Sequence, residues 1–351
     1  MSRSQRKWDH IKYALATGQA GNQGMDDIRF IPNALSNTTY HDIDVTTTLH
    51  TLTLPSPIII NAMTGGSAET TEVNRKLATL AREKGLAMAI GSQMAAIRDP
   101  ELIGSYRVVR QENPDGLVFT NLGAEATVEQ AKLAVDMLEA DAMQIHLNVM
   151  QELIMPEGDR DFTGYLKNIE RIVQSLEVPV IVKEVGFGMS RQSIRQLGDV
   201  GVKIIDVGGK GGTNFASIEN QRKDEPLSMF DDWGLTTVQS LLEASVADVS
   251  GVSFLATGGI RNGLEVAKAL ALGASAAGMA GTFLRVVQTL PMERALAFVD
   301  GLHHQLRVAM TALGVRTVAG LQQAPFTIHG DTEVWLRQRD IDSRKFSLRG
   351  E

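Results

Sequence analysis

The sequence predicts a single (β/α)8 TIM barrel with an N-terminal extension and C-terminal helices. Three observations carry this. Eight short apolar, β-branched runs follow one another along the chain; helix-length patterns fill the intervals; and almost every run ends in Asn, Ser, Gly, Lys or Thr. Strands alternating with helical patterns make βα units and a parallel sheet. Eight in series suit a closed barrel better than an open sheet, and the polar run ends would then share one rim.

The runs begin near residues 57, 85, 116, 142, 178, 202, 252 and 275. In chain order, PIIINAM runs into Ala62 and Met63, GLAMAIGS closes on Ser92, and GLVFTNLG carries Asn121. AMQIHLN closes on Asn148, VPVIVKEVG carries Lys183, and VKIIDVGG opens the longest connection. VSFLATGG closes on Thr257, Gly258 and Gly259, and SAAGMAG closes on Met279, Ala280 and Gly281. The connection after the sixth run, GKGGTNFASIENQRKDEPLSMFDDWG, is too long for a plain crossover and reads as a functional loop or lid.

A barrel of about 250 residues leaves material at both ends of a 351-residue chain. The expected division is an N-terminal extension over 1–50, the barrel over 51–290 and a C-terminal helical extension over 291–351, with a helix from about Met292 to Leu313. No linker, low-complexity segment or second core interrupts it. Hydrophobic content of 43% and charged content of 21% suit a globular protein with a full core. A net charge of −7 argues against a broad nucleic-acid surface but leaves room for a small cationic pocket. No apolar run reaches the length of a membrane span, and MSRSQRKWDH lacks the apolar core of a signal peptide, so the expected location is cytoplasmic. The absence of cysteine removes disulfides, thiolate metal ligands and a cysteine nucleophile.

Strand ends seven and eight suggest a phosphate site. Glycines at 258 and 259, with Met279, Ala280 and Gly281 on the next strand, let backbone N–H groups approach an anion at a helix N-terminus. The same glycines also suit plain tight turns. GGKGGTNF, Gly208 to Phe215, is either a donor-rich binding loop or a mobile surface loop, and it lacks the order of a P-loop. In RKWDH, helical spacing brings Arg6, Lys7 and His10 together, as a diphosphate site needs or as any solvated charged face shows.

Period-2 alternation in the fourth run puts Gln144, His146 and Asn148 on one face and Met143, Ile145 and Leu147 on the other. The polar face should look into the barrel. A lone histidine there would be a satisfied core residue; Asn148, Gln151 and Glu152 just beyond it shift the reading toward a site. Glu152 among neutral neighbours suits Mg2+ held by one carboxylate, substrate phosphate and water. No spaced His/Cys cluster supports zinc. Lys183 faces inward by the same alternation and calls for an anion or acts as a tuned base. Neutral donors and glycines, with one Lys and one Glu, suit a rim that positions a cofactor which itself performs the chemistry.

Taken in order, RK..H, NAMTGG, GSQ, NLG, QIHLN..QE, VKEVGFGMS, GGTNF..IE, TGGIR, GMAG and LGVRT resemble one family across nearly the whole chain, the type 2 isopentenyl-diphosphate isomerases. Asp9 stands where Glu is the more frequent residue in that pattern. The resemblance implies FMN, Mg2+ and NADPH, and interconversion of isopentenyl and dimethylallyl diphosphates. It puts the flavin against Ala62, Met63 and Thr64, with Ser92, Asn121, Lys183 and Thr213 around it. The flavin phosphate falls on Gly258, Gly259, Met279 and Ala280. Arg6, Lys7, His10 and Asn148 would hold the diphosphate, Glu152 would bind Mg2+, and Gln151 and His146 would orient and relay near the reacting carbons. The reaction has no net redox change, so NADPH would serve only to reduce the flavin. A homo-oligomer, tetramer or octamer, is implied as well, with no nucleic-acid or membrane partner.

Two rival readings use other features. An α-hydroxy-acid oxidase needs an inward His–Arg pair near strand seven or eight, where TGGIR offers only Arg261. A non-catalytic flavin redox sensor would leave the RK..H cluster and Glu152 without a role. A dehydrogenase working through a cysteine nucleophile is excluded by composition.

Overall fold

A computed structural model describes residues 21–350. Eight parallel strands form a closed ring: Ile58–Ile60, Ala87–Ala89, Val118–Gly123, Ala142–Leu147, Val180–Glu184, Ile204–Asp206, Ser253–Thr257 and Ala276–Met279. They pair in chain order, and the eighth closes on the first through Ala277–Ile58, Gly278–Ile59 and Met279–Ile60. Each lies within its predicted run.

Local chemistry sets the helix ends. Ser67, Thr127 and Thr236 each open a helix through a capping box, taking one orphan backbone N–H at the first turn. The helix Ala68–Lys84 stops at Gly85, whose φ of 62° is a left-handed cap that a glycine adopts without strain.

The pleat sorts the strand side chains into layers. Ile58 and Ile60 join the outer core against the surrounding helices, while Ile59 between them points inward. Met143 and Ile145 likewise pack outward among Ala131, Ala134, Ile169 and Ile172. Inside the ring, Ile59, Phe119, Ala142, Ile181, Ile204 and Leu255 form an apolar floor. The hairpin Thr47–Leu49 and Leu52–Leu54 adds Leu49 and Leu54 to it. Two residues further along six of the eight strands, the inward side chain becomes polar: Asn61, Asn121, Gln144, Lys183, Asp206 and Thr257, all buried. Period 2 therefore stacks a polar layer directly on an apolar one.

The two ends of the described chain meet. Ile28–Phe30 pairs antiparallel with Phe326–Ile328. The long helix Met292–Leu313, where the sequence places it, lies so close to helix Gly263–Ala271 that a Cβ on Gly263 would fall 2.4 Å from the Leu302 carbonyl oxygen. Arg339 clamps the C-terminal region to the barrel by donating from Nε and Nη2 to both oxygens of the buried Glu243, each at 2.9 Å. Among the described residues no helix is long and apolar enough to cross a membrane. The connection after the sixth strand is not a plain loop. It folds into helix Phe215–Asn220 and a 3-10 turn at Ser228–Phe230 before the outer helix Thr237–Ala244.

Because the floor carries the polar layer, Phe119→Ala should cost about 3–5 kcal/mol, read as a lowered midpoint in chemical unfolding. A loss below about 1 kcal/mol would mean that the floor repacks around the cavity.

Candidate active site

The rim where the strands end encloses a cleft of about 410 Å3. In a ring of eight, the seventh and eighth strands lie across from the third and fourth, so the cleft has two chemically different sides.

The first side is backbone. Gly258 and Gly259 take φ values of 110° and 77°, a region that side chains rarely adopt. A Cβ on Gly258 would lie 1.9 Å from the Gly209 carbonyl oxygen, and one on Gly259 would lie 2.4 Å from that of Gly211. The glycine loop after strand six thus packs directly on the turn after strand seven. Met279, Ala280 and Gly281 line the same side, where helix Gly281–Thr289 begins with no side-chain cap. A nine-residue helix with its N-terminus turned to a cleft among glycines is suited to a phosphate.

The second side is built from strand four and the short helix after it, Val149–Ile154. Asn148, Gln151 and Glu152 all line the cleft. Asn148 Nδ2 donates to Glu152 Oε1 at 2.8 Å, and the backbone N–H of Asp159 donates to Oε2 at 2.9 Å. Gln151 Nε2 donates to Glu219 Oε1 at 3.3 Å, and Arg222 pairs with the other oxygen of that buried carboxylate. Arg222 also holds Glu157 at 2.5 Å, which ties the loop after strand six to the loop after strand four.

Contrary to the sequence expectation, Glu152 does not stand among neutral neighbours. Glu125, Glu157 and Asp159 line the same mouth, with Arg98 beside them. Burial pushes the Glu125 carboxyl above its usual range, and repulsion from Glu152 and Asp159 adds to the rise. Among the described residues no three His, Asp or Glu side chains converge as a cage for a metal. Glu152 offers one fixed carboxylate, a donor set that suits Mg2+ only when ligand phosphate and water complete the shell.

The floor of the cleft is the polar layer. Asp206, fully buried, accepts from Asn61 Nδ2 at 2.8 Å, Thr257 Oγ1 at 2.5 Å and the Gly208 N–H at 3.2 Å. Burial raises its pKa, against the pull of the Lys183 charge and these hydrogen bonds. Lys183 Nζ donates to the Glu184 carbonyl at 2.8 Å. Burial likewise lifts the Glu184 carboxyl to about 7, although the Phe187 and Gly186 N–H groups and the Lys183 charge oppose it. His146 is driven down to about 3, first by burial and then by the Lys183 charge. Its ring is therefore neutral at physiological pH, with Nδ1 2.9 Å from Asn121 Oδ1.

Of the residues the sequence singled out, Ala62, Met63, Ser92, Asn121, His146 and Lys183 line the floor and walls, and Thr213 lines the loop side. Thr64 does not line the cleft. Its hydroxyl is taken by Asn74, and its carbonyl accepts the Gly91 N–H at 2.9 Å, so it braces the turn after strand one. Arg6, Lys7 and His10 lie outside the described residues. Sequence reading missed Asn61, Asp206, Glu184 and Glu219. Asn61 and Asp206 carried a usable signal, since alternation from Ile59 and Ile204 puts both inside the barrel.

The family model described as FMN-dependent dehydrogenase matches residues 110–327. The isopentenyl-diphosphate delta-isomerase of Bacillus cytotoxicus is 53% identical over 350 residues, covering 99% of this chain and 100% of the relative. Those of a Geobacillus species and of Bacillus licheniformis are 51% and 52% identical, over the same shares of both chains. This chain belongs to the isopentenyl-diphosphate delta-isomerase family. Solved structures of mandelate oxidase resemble this member of the isomerase family at TM-scores of 0.64 and 0.65, with 17% and 16% identity. They cover 90% and 93% of this chain, and 92% and 97% of their own. That likeness extends to the fold alone. The oxidase reading of this isomerase-family site also fails on geometry, because Arg261 is spent on a two-pronged pair with Glu265 (2.8 Å) and does not line the cleft.

Two outcomes are expected. Gly258→Ala forces a Cβ into the Gly209 carbonyl at a left-handed φ, so unfolding stability should fall by about 1–3 kcal/mol; unchanged stability would mean that the two loops can part. The His146 pKa is lowered from 6.5 to about 3, so the unfolded chain takes up the proton first and stability is lost as pH falls from 6.5 toward 3. In a histidine NMR titration the His146 signals should stay flat between pH 8 and pH 5, and a midpoint near 6.5 would contradict the burial.

Proposed function

We propose that this protein interconverts isopentenyl and dimethylallyl diphosphates, using reduced FMN and Mg2+. The observation that carries the reading is the two-sided cleft. A backbone anion cradle at strands seven and eight faces a carboxylate-and-amide cluster at strand four, with a hydrogen-bonded polar floor between them.

The residues fit a flavin mononucleotide. The Gly258–Gly259 turn and the start of helix Gly281–Thr289 suit its phosphate, while Ala62, Met63, Ser92, Asn121 and Lys183 suit a flat polar ring. When bound, reduced FMN supplies an electron-rich ring that stabilises positive charge developing on a neighbouring carbon. Glu152, fixed by Asn148 and the Asp159 N–H, would hold Mg2+ with the diphosphate completing its shell. The reducing equivalents are assigned to NADPH on the family resemblance, as are Arg6, Lys7 and His10 to the diphosphate. A cytoplasmic tetramer or octamer belongs to the same reading.

What this chain's own residues do follows from their state. Moving a double bond by one carbon requires a proton to arrive at one end and another to leave. An alkene is a very weak base, so positive charge builds up on carbon along the way. Neutral groups suit that step, because a cation beside the carbon would oppose it. His146 is neutral, and Gln151 is uncharged but polarised by the buried Glu219 behind it. Gln151 can orient the reacting end and pass a hydrogen bond to Glu219. Phe215 and Met155 line the cleft with the polar groups and help keep water from a cationic carbon.

The test is an anaerobic assay of purified protein with isopentenyl diphosphate, FMN, Mg2+ and NADPH in heavy water, followed by NMR. Dimethylallyl diphosphate carrying deuterium is the expected product, and Gln151→Ala should lower its rate by roughly 10²–10⁴-fold. No product from protein with bound yellow flavin would overturn the assigned reaction.

A further inference from the structure

Five buried or cleft-lining side chains form one continuous hydrogen-bonded line across the barrel: Asp206, Asn61, Gln144, Asn121 and His146. Each amide in it has an accepting and a donating end, so the orientation of one fixes the next. Asp206 and the backbone set the first together. The Ala62 N–H donates to Asn61 Oδ1 at 2.9 Å, which leaves Asn61 Nδ2 to face Asp206 Oδ2 at 2.8 Å. Asn61 Oδ1 also takes Gln144 Nε2 at 3.0 Å, so Gln144 Oε1 must face Asn121 Nδ2, 3.1 Å away. Asn121 Oδ1 is then left for His146 Nδ1, at 2.9 Å. An amide oxygen only accepts, so the proton of the neutral imidazole sits on Nδ1 and Nε2 is bare. Reversing any link would set two donors or two acceptors against each other in a buried layer, which costs the full desolvation of both groups.

We propose that Asp206 is a positioning residue: it anchors this line and thereby holds His146 as the Nδ1–H tautomer, whose Nε2 meets the ligand as an acceptor. The consequence is specific. His146 takes a ligand N–H or O–H and gives no hydrogen bond to a phosphate oxygen. Asp206 is suited to the task because donors reach both of its oxygens, Asn61 on one and Thr257 and Gly208 on the other, so its carboxylate cannot turn. For the reaction proposed above, on which only the catalytic part of this inference rests, a fixed acceptor next to the reacting group is what a neutral relay requires.

The test reads the tautomer directly, in protein whose histidine rings carry nitrogen-15. Long-range proton–nitrogen correlation spectra distinguish a protonated from a bare ring nitrogen, and the His146 signals are assigned by their loss in His146→Asn. In the unaltered protein Nδ1 should be protonated and Nε2 bare; the proton on Nε2 would overturn the proposal outright. In Asp206→Asn the Nε2–H form should appear, and kcat should fall roughly 10–100-fold with little change in KM. Asn61→Ser cuts the line while keeping Asp206 in place, and the same tautomer change is expected. A pure Nδ1–H pattern retained in either folded variant would overturn the role of Asp206. Because the tautomer is read without turnover, failure of the isomerase reading and failure of this one are separate results.

Discussion

In a closed ring of parallel strands every carboxyl end opens on one rim, and every second side chain points inward. Those two facts set the rest of this molecule. They force Ile59, Phe119, Ile181, Ile204 and Leu255 into a common floor, and Asn61, Asn121, Lys183, Asp206 and Thr257 into the layer just above it. Neither layer stands alone. The floor supplies apolar burial, while the polar layer survives there only because its groups hydrogen-bond one another and the backbone. The cleft is what remains above the polar layer, where the strand-end loops diverge.

That arrangement explains the electrostatic character of the site. Lys183 and Asp206 are neighbours in register, and the positive charge of one offsets the burial of the other. Within the same low-dielectric layer His146 cannot hold a second positive charge and stays neutral. The acidic groups gather instead at the mouth beside Glu152. The cleft therefore grades from backbone donors at strands seven and eight, through a floor where Lys183 faces Asp206, to carboxylates at strand four. A phosphate-bearing ring and a diphosphate ester need those conditions in different places at once.

Much of this was legible in the sequence, for a physical reason. Run length and end residues fix where strands stop, so all eight strands fell inside their predicted runs, and the alternation in AMQIHLN placed Gln144 and His146 on the inner face. What alternation cannot give is which side chains meet across the ring. Asn61 and Asp206 are 145 positions apart, and Gln151 and Glu219 are 68 apart, so neither pairing has a local signal. Thr64 is a different case. Its position in the NAMTGG motif suggested a flavin contact, but Asn74 on the following helix draws its hydroxyl away from the cleft. Glu152 was read as isolated because Glu125 and Asp159 reach it only through the folded rim.

One cleft is held to seat a flavin and a diphosphate ester side by side. The most direct measurement is the absorbance spectrum of the reduced, flavin-loaded protein during an anaerobic titration with isopentenyl diphosphate, with and without Mg2+. A saturable change in the flavin bands that depends on Mg2+, and that weakens in Glu152→Gln, is the expected result. A spectrum that stays flat at saturating diphosphate, with flavin still bound, would contradict the shared cleft.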